Sequence, residues 1–277
     1  LFHAMGRSGA MSGALQDVLR AAFPVGTDQL TAGSAVALPG FGQALPAELP
    51  DRLASGGCFV LGDGRPVRLL SAMSRGHGIV WAQFDTSQPS QLREVRGLDP
   101  GLGLIAVELA GLRPEIVLTG EQAEQTWSAV QAAGRRALAH QLVGAVERML
   151  ELAVQHALDR VQFGRQVGSF QAVRHRLADA FVAKEAAAAA VELSWCSDDE
   201  VLAAMLAKSL AGRAAKIAAT QCQQVLAGIG FTAEHPFHRY LKRVSVLDRF
   251  LGSATELPAL IGARLIELGA LPRLVEL

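Results

Sequence analysis

The second half of the sequence consists almost entirely of long segments with helical periodicity. In residues 121–159, apolar side chains recur every three or four positions, and residues that favour helix, such as Ala, Leu, Arg and Glu, predominate. The same pattern returns, after short interruptions, in four further segments: 170–194, 200–228, 236–249 and 254–268. Long helices joined by short breaks pack as antiparallel neighbours, so we expect a helical bundle over residues 121–277.

Residues 1–120 have a different composition, with many Gly and Pro residues between short apolar runs. We expect an amphipathic helix over residues 11–23 and a short second helix over 45–55. Strand-like runs separated by turn sequences follow at 58–61, 66–70, 78–84, 102–109 and 116–118. These runs predict one small antiparallel sheet of four to six strands.

The sequence therefore predicts a mainly α protein in three parts. These are a partial N-terminal helical part at 1–56, a reduced antiparallel β domain at 57–120 and a C-terminal helical bundle at 121–277. The β part is too short for a ligand-enclosing barrel, which usually needs about eight strands.

Charge and cysteine content exclude several classes of protein. The 277 residues include 26 Lys and Arg and 26 Asp and Glu, so the formal net charge is zero. Nucleic acids and anionic membranes need a basic face, and neither is expected as a partner. No apolar run approaches the ~18 residues of a transmembrane helix. Cys58, Cys196 and Cys222 are too far apart for a disulfide framework or a zinc site, which fits a cytoplasmic protein.

The histidines do not indicate a metal site. His140, His156 and His175 lie on predicted helices without the spacing that converging metal ligands need. His235 and His238 lie close together in the sequence and could form a local polar cluster, again without a metal. No Ser, Thr or Cys stands in a recognisable nucleophile motif. Neither a metal nor a covalent nucleophile is therefore expected.

One segment is less easily explained as plain scaffold. It reads Arg160-Val-Gln162-Phe163-Gly164, with Gln171 eleven residues after the arginine. An arginine can bind a phosphate bidentately, and a glycine lets the backbone come close. The segment could thus clamp an anion and a ring. On spacing alone, a helix–turn–helix corner with an aromatic plug is the favoured interpretation.

A second segment of interest runs from Gln224 through Ala227 and Gly228 to Gly230 and Phe231. Here a predicted helix leads into small residues, where a ligand or another backbone can approach closely. The commoner use of such glycines is to end a helix, and that interpretation stays open.

Together these two segments resemble the acyl-CoA dehydrogenase family. The family signature is R-x-x-F-G with a following Gln, and then Q-x-x-x-G-x-G-F-x-x-E-x-P-x-x-R, and the resemblance covers about residues 98–268. The first hundred residues match only loosely. The resemblance implies an N-terminal helical domain, a central β domain and a C-terminal four-helix bundle. It also implies an enzyme that uses FAD to remove two hydrogens from the α and β carbons of an acyl-CoA thioester.

In the family, these two motifs reach across a subunit interface and hold the pyrophosphate and adenine half of the neighbouring subunit's FAD. By resemblance, that role falls on Arg160, Gln162, Phe163, Gln171, Gln224, Ala227 and Gly228. Ala227 stands where the family often has another small residue, so the resemblance implies that a close approach survives there.

The sequence departs from the family pattern at the catalytic base. The usual glutamate lies twenty residues after the motif Phe, where this sequence has Leu251. Some members carry the base twenty-six residues before the motif Arg, where this sequence has Gly134. Neither residue can accept a proton, so no catalytic residue is assigned. Asp248 and Glu256 lie nearby in the sequence, but at a different helical phase.

The predicted β domain also departs from the family. Between Cys58 and Asp85 we find no copy of the Thr/Ser-containing stretch with which the family holds the flavin ring. A chain that keeps the FAD contacts across the interface but lacks the base resembles the non-catalytic subunit of heterotetrameric acyl-CoA dehydrogenases that shorten steroid-CoA side chains. We therefore expect a helper subunit that shares FAD with a catalytic acyl-CoA dehydrogenase subunit. The partner's site would bind the acyl-CoA, with electron-transfer flavoprotein as a candidate electron acceptor.

Two alternatives stay open. The first is a self-sufficient, homo-oligomeric dehydrogenase whose base is an unexpected residue such as Asp248. The second is a structural helical protein that has lost FAD altogether. Flavin content separates the three. A yellow homo-oligomer favours the first alternative, a colourless complex favours the second, and flavin that appears only on co-expression favours the helper subunit.

Overall fold

The computed structural model describes residues 1–10, 12–24, 33–41, 43–46, 57–62, 64–88 and 91–269. The helix predicted over 45–55 falls outside this set apart from its first two residues, which are not helical. The chain divides into two compact units. We call residues 11–135 with 249–252 the β unit, and residues 1–10, 136–248 and 253–277 the helical unit. The three-part domain division stays a prediction.

Helices account for most of the described residues, which confirms the mainly α prediction. The α-helices are α1 (Phe2–Ser8), α2 (Ala14–Ala21), α3 (Gly120–Asp159), α4 (Gln171–Leu193), α5 (Glu200–Leu226), α6 (Phe237–Leu247) and α7 (Leu257–Leu268). All five helices predicted in the second half of the chain form, with ends that differ by at most three residues. The short helix α1 was not predicted.

The β unit contains two sheets where the sequence predicted one. Its described strands are β1 (Ser34–Val36), β2 (Gly57–Leu61), β3 (Arg68–Arg75), β4 (Gly78–Asp85), β5 (Leu92–Glu94), β6 (Leu104–Glu108) and β7 (Glu115–Leu118). One sheet has the order β1-β3-β4-β7 and the other the order β2-β6-β5. Strand β1 also pairs parallel with β3, not antiparallel. No hairpin turn joins these two strands, so local turn sequence could not reveal the pairing.

The strands of both sheets contribute to one apolar core in the β unit, with Leu69, Phe84 and Val107 among its most buried members. Helix α2 is tied to strand β1 by one glutamine. Gln16 Nε2 donates to the Val36 carbonyl at 3.1 Å, and Gln16 Oε1 accepts from the Val36 N–H at 2.8 Å. This reciprocal pair satisfies both polar groups of a buried side chain.

In the helical unit, α4 and α5 follow each other through a short connection and lie side by side. Asp199 caps the N-terminus of α5, because its carboxylate accepts the Leu202 N–H at 3.0 Å. The buried residues of α4 are Ala180, Ala187 and Val191, whereas the larger Phe181 is 50% exposed. Small side chains let two helix axes approach closely, so alanine occupies the contact and the larger residues stay outside.

Helix α1 crosses α3 at a point where both helices carry glycine. A Cβ on Gly6 would overlap the Gln141 carbonyl oxygen, and a Cβ on Gly144 would overlap the His3 carbonyl oxygen. The two backbones therefore touch directly. This tertiary contact explains why a helix of only seven residues is stable here, since isolated helices of that length are not.

Candidate functional site

The chain reverses direction directly after α3 in a tight hairpin. Its strands are β8 (Val161–Gln162) and β9 (Arg165–Gln166), joined through Phe163 and Gly164. Both joining residues have left-handed backbone, with φ of 54° and 75°, as a type I′ hairpin turn requires. Glycine adopts this conformation freely, but a phenylalanine does so at a cost of about 1–2 kcal/mol.

The Phe163 side chain is exposed to solvent and is not part of an apolar core. It is 93% exposed, and among the described residues its ring contact is an edge-on one with Phe170, at a centroid distance of 6.1 Å. Arg165 lies over the other ring of this pair, 4.1 Å from the Phe170 centroid. The segment does form a corner between α3 and α4, but the expected aromatic plug is wrong, because the Phe163 ring is exposed.

The polar residues of the same motif are also available for binding. Arg160 follows the last residue of α3 and is exposed, and among the described residues no hydrogen bond or ion pair engages its guanidinium. Gln171 begins α4 and is exposed. Gln162 donates only to the neighbouring Val161 carbonyl, at 2.7 Å. The motif thus presents an unpaired cation, an aromatic ring and two amides on one short stretch.

The second motif forms the end of α5 and the 3₁₀ turn after it, Ala227–Phe231. The helix ends at Leu226, two residues before the predicted end. Ala227 has the unusual backbone angles φ 51° and ψ −132°, so an alanine and not a glycine carries the strain. Gly228 has no atom within 4 Å of an added Cβ, which leaves its backbone open to approach. Gln224, one turn earlier, is exposed.

Both motifs belong to the helical unit, and a histidine lies in or beside each of them. His156 lies one turn before Arg160, and His235 lies between Glu234 and Pro236 of the second motif. Burial lowers the pKa of His235, and His156 and His238 lower it further. The sequence indicated a local polar cluster of His235 and His238, and the His235 carbonyl lies 2.8 Å from His238 Nδ1.

The family pattern implies FAD, which presents a diphosphate and an adenine ring, and the residues fit such a ligand. Arg160 offers an unpaired cation for an anion, and Phe163 offers an exposed ring for stacking. The open backbone at Gly228 allows a close approach that a side chain would block. This chemistry suits the dinucleotide end of the cofactor, not its reactive ring.

The two positions where the family carries its catalytic base lie in contact with each other in the β unit. Leu251 is 1% exposed, and its carbonyl oxygen accepts a hydrogen bond from Arg135 Nε at 2.9 Å. A Cβ on Gly134 would overlap the Leu251 side chain and would lie 2.9 Å from Leu19 Cδ2. Apolar packing therefore occupies the place of the base, and it leaves no room for a carboxylate.

The surroundings of Leu251 are equally unsuited to proton transfer. Phe250 is fully buried and packs against the Phe41 and Phe59 rings, at centroid distances of 5.1 and 6.2 Å. Arg135 is the nearby ionisable group, and burial lowers its pKa to about 10. An arginine with that pKa is still protonated at neutral pH and cannot act as a base.

The two carboxylates near this loop in the sequence are held by other groups. Asp248 Oδ1 accepts from the buried Lys208 Nζ at 3.3 Å and from the Ala254 N–H at 3.1 Å. Glu256 Oε2 accepts from the Ser253 N–H and from the Ser253 hydroxyl, both at 2.9 Å. Both carboxylates therefore stabilise the turn between α6 and α7.

In the β unit, the buried hydroxyls near the expected flavin contact bond to nearby backbone. Ser71 Oγ donates to the Ala72 carbonyl at 3.3 Å, and Thr86 Oγ1 donates to the Pro66 carbonyl at 2.7 Å. Among the described residues, no three His, Cys, Asp or Glu side chains converge on a common metal position. No helix among all the residues that the structure describes is long and apolar enough to cross a membrane.

Comparison with known proteins identifies the family of the chain. The family model for the acyl-CoA dehydrogenase C-terminal domain matches residues 128–266, which is half of the chain. The chain belongs to the acyl-CoA dehydrogenase family.

One similar relative is the acyl-CoA dehydrogenase IpdE2 of Mycobacterium tuberculosis, which is 43% identical over 119 residues. That match covers 43% of this chain and 37% of IpdE2, so it spans little more than a third of the relative. Two solved structures share the fold. The ChsE4–ChsE5 complex from Mycobacterium tuberculosis has a TM-score of 0.73 at 22% identity, and the match covers 98% of this chain and 80% of that one. The Tcur3481–Tcur3483 steroid ACAD G363A variant has a TM-score of 0.72 at 24% identity, over 86% and 68%.

Proposed function

We propose that this chain is a non-catalytic helper subunit of a heteromeric, FAD-dependent acyl-CoA dehydrogenase. One observation carries the proposal: the first motif is exposed and its Arg160 side chain has no partner among the described residues, while apolar packing fills both base positions. Arg160 and Phe163 are the exposed residues of the motif. Leu251 and Gly134 stand at the two base positions and pack against each other. A chain of this kind can hold a cofactor for another subunit but cannot start the reaction itself.

The division of labour follows from the residues of this chain. Arg160 would bind the diphosphate, Phe163 would stack on the adenine, and the Gly228 backbone would approach the same half of the cofactor. FAD would supply the acceptor for the hydride that leaves the β carbon of the acyl-CoA, and the base that removes the α proton would come from the partner. This chain would thus orient and retain the cofactor without touching the reacting carbons.

Two structural neighbours support a heteromeric assembly. Both the ChsE4–ChsE5 complex and the Tcur3481–Tcur3483 protein are named as pairs of different chains, and the second is a steroid acyl-CoA dehydrogenase. We propose the same kind of pairing for this protein. The substrate of the partner's site would be a steroid-CoA thioester. Electron-transfer flavoprotein remains our candidate for the acceptor that reoxidises the flavin.

The alternatives from the sequence have less support. A self-sufficient enzyme with Asp248 as base would need a free carboxylate, but Asp248 is engaged by Lys208 and the Ala254 N–H. A protein without FAD would have no use for Phe163 in a strained and exposed conformation.

The experiment is to replace Arg160 by alanine in the complex that co-purifies with this chain. A charge-assisted hydrogen bond contributes about 1.5–3 kcal/mol, and ~1.4 kcal/mol is a tenfold change in affinity. Arg160→Ala should therefore weaken FAD binding about ten- to hundredfold, measured as the flavin-to-protein ratio after dialysis. The melting temperature of the FAD-free protein should stay the same, because the Arg160 side chain has no partner among the described residues.

Arg75→Ala is the matched control, since Arg75 is an exposed arginine at the end of β3, outside both motifs. This variant should keep its flavin. An undiminished flavin ratio in Arg160→Ala would remove the support for placing Arg160 at the cofactor.

A further inference from the structure

Helix α4 is covered by the rest of the chain along one narrow stripe. Three of its 23 residues are buried, and all three face α5 as small or β-branched side chains. Apolar side chains remain outside this stripe, and Val182 is 65% exposed. A helix on the surface of a protein normally turns its apolar residues towards a neighbour. The exposed apolar residues of α4 therefore indicate a further surface that packs against it.

Beside the contact between α4 and α5, the two helices form the walls of an open groove of about 530 Å³. On each wall the lining residues recur every three or four positions, so each wall is one face of a helix. Arg176 Nη1 donates to Gln221 Oε1 at 2.8 Å and bridges the two helices at one end of the groove. The residues between the charged ones are apolar: Val182, Ala183, Ala186, Leu210, Ala214 and Ile217.

Two charged residues line the groove, and they lie on opposite walls. Asp179 belongs to α4 and Arg213 to α5, and both are exposed. Among the described residues, no hydrogen bond or ion pair engages either side chain. Counted from the Arg176–Gln221 bridge, Asp179 is three residues along α4 and Arg213 is eight residues along α5. Their levels along the groove thus differ by about 7–8 Å, which a long arginine side chain can span.

Opposite charges on opposite walls make the groove self-complementary. In a dimer whose two-fold axis runs along the groove, α4 of one copy lies over α5 of the other. Asp179 of each copy then faces Arg213 of the other copy, and the two apolar centres meet between the ion pairs. A different protein would need its own pair of opposite charges at the same spacing, so the pattern favours a second copy of this chain.

The face that carries the groove is large enough for a stable dimer. A helix of 23 residues is about 35 Å long, and each of the two helices is about 10 Å wide. The α4–α5 face therefore covers roughly 700 Å², close to the ~800 Å² that each partner buries in a standard interface.

We propose that the α4–α5 groove is the contact between two copies of this chain, held by reciprocal Asp179–Arg213 ion pairs around an apolar centre. The lining residues that the structure describes include no member of either cofactor motif. The inference therefore does not rest on the proposed function. In a heteromeric complex, this contact would join two helper subunits and leave each cofactor motif free for a catalytic partner.

The test reverses the charges. Self-association of the full chain is measured by sedimentation velocity, and the subunit composition of the co-purified complex by native mass spectrometry. Asp179→Arg or Arg213→Asp should weaken self-association about ten- to thirtyfold, because the two-fold axis repeats each like-charge contact. The double variant restores opposite charges and should return the dissociation constant to within about threefold of the native value. Both side chains are exposed, so each variant should keep the native circular dichroism spectrum.

Val182→Glu tests the apolar centre of the groove. The new carboxylate would be buried among apolar side chains in the dimer but exposed in a single copy, so it should weaken self-association without unfolding the chain. Ile266→Glu is the matched control, at an 82% exposed residue of α7 outside the groove. This control should leave self-association unchanged.

The outcomes decide between a second copy and another occupant. Complexes that split into units with one helper copy each in the single reversals, and re-form in the double variant, would support the inference. A native chain that stays monomeric and occurs once per complex would overturn it, as would single reversals without effect or a double variant without rescue. Loss of the catalytic subunit in the single reversals would assign the groove to that partner and would also overturn it. The flavin-to-protein ratio should stay native throughout, so failure here leaves the proposed function standing.

Discussion

Phe163 and Leu251 share an unusual backbone and have opposite surroundings. Both are large apolar residues with left-handed φ, 54° at Phe163 and 56° at Leu251. Leu251 is 1% exposed, packs against its neighbours and receives a hydrogen bond from Arg135, whereas Phe163 is 93% exposed. Strained residues persist where their surroundings stabilise them. At Leu251 the chain itself provides that stabilisation, whereas at Phe163 the described residues provide little, which indicates a binding role.

The same contrast separates the two functions that the family combines in one chain. The cofactor motif keeps its polar and aromatic groups on the surface, and the base position has become part of a core. The two regions therefore should respond differently to substitution, the core through stability and the hairpin through ligand binding.

The largest effect is expected where a base is put back into the core. Gly134→Glu would place a carboxylate where even a Cβ overlaps Leu251 and crowds Leu19. Overpacking and a buried charge together should lower the free energy of unfolding by about 3 kcal/mol or more. Urea denaturation of the variant and the native chain measures the difference.

Gly262→Ala is the matched control, because Gly262 lies in α7 with no atom within 4 Å of an added Cβ. Alanine should stabilise that helix by about 0.5–1 kcal/mol. If Gly134→Glu were as stable as the native chain, the base position would be an open site and the contrast between the regions would fail.

A smaller and opposite effect is expected at the hairpin. Phe163→Asn keeps a residue that tolerates left-handed backbone, so the free energy of unfolding should rise by up to about 1 kcal/mol. The same variant should retain less FAD in the complex, because the exposed ring is lost. Stability and flavin content would thus change in opposite directions.

Phe231→Asn tests whether the gain comes from backbone strain. Phe231 is 75% exposed, but it is not among the residues with positive φ. We expect no gain in stability at this position. A Phe163→Asn variant that loses stability would show that the ring has a packing role, contrary to our account.

Much of the fold could be predicted because its helices are long. The five helices after residue 120 have strong periodicity, and their ends carry recognisable signals such as Asp199. Helix α1 and strand β1 were missed since both are short and depend on distant contacts, at Gly144 for α1 and at β3 for β1. The buried face of α4 could not be predicted from the large apolar residues, because two of its three buried residues are alanines.

The residues of the candidate site came from the resemblance to the family, and their role stays a prediction. The resemblance assigned Arg160, Phe163 and Gln224 to the cofactor, and it gave Leu251 and Gly134 as the positions of the base. The sequence could not show that Phe163 is exposed, or that Leu251 and Gly134 touch, since both facts depend on how distant segments pack.

The most direct test of the helper-subunit account compares this chain alone with the complex formed on co-expression with its catalytic partner. Flavin absorbance per chain and acyl-CoA turnover with an artificial electron acceptor are measured on both preparations, and native mass spectrometry gives their composition. We predict that the chain alone holds little FAD and shows no turnover, and that the complex contains both subunits, is yellow and is active. A yellow homo-oligomer of this chain that turns over acyl-CoA at a rate near that of the complex would contradict the account.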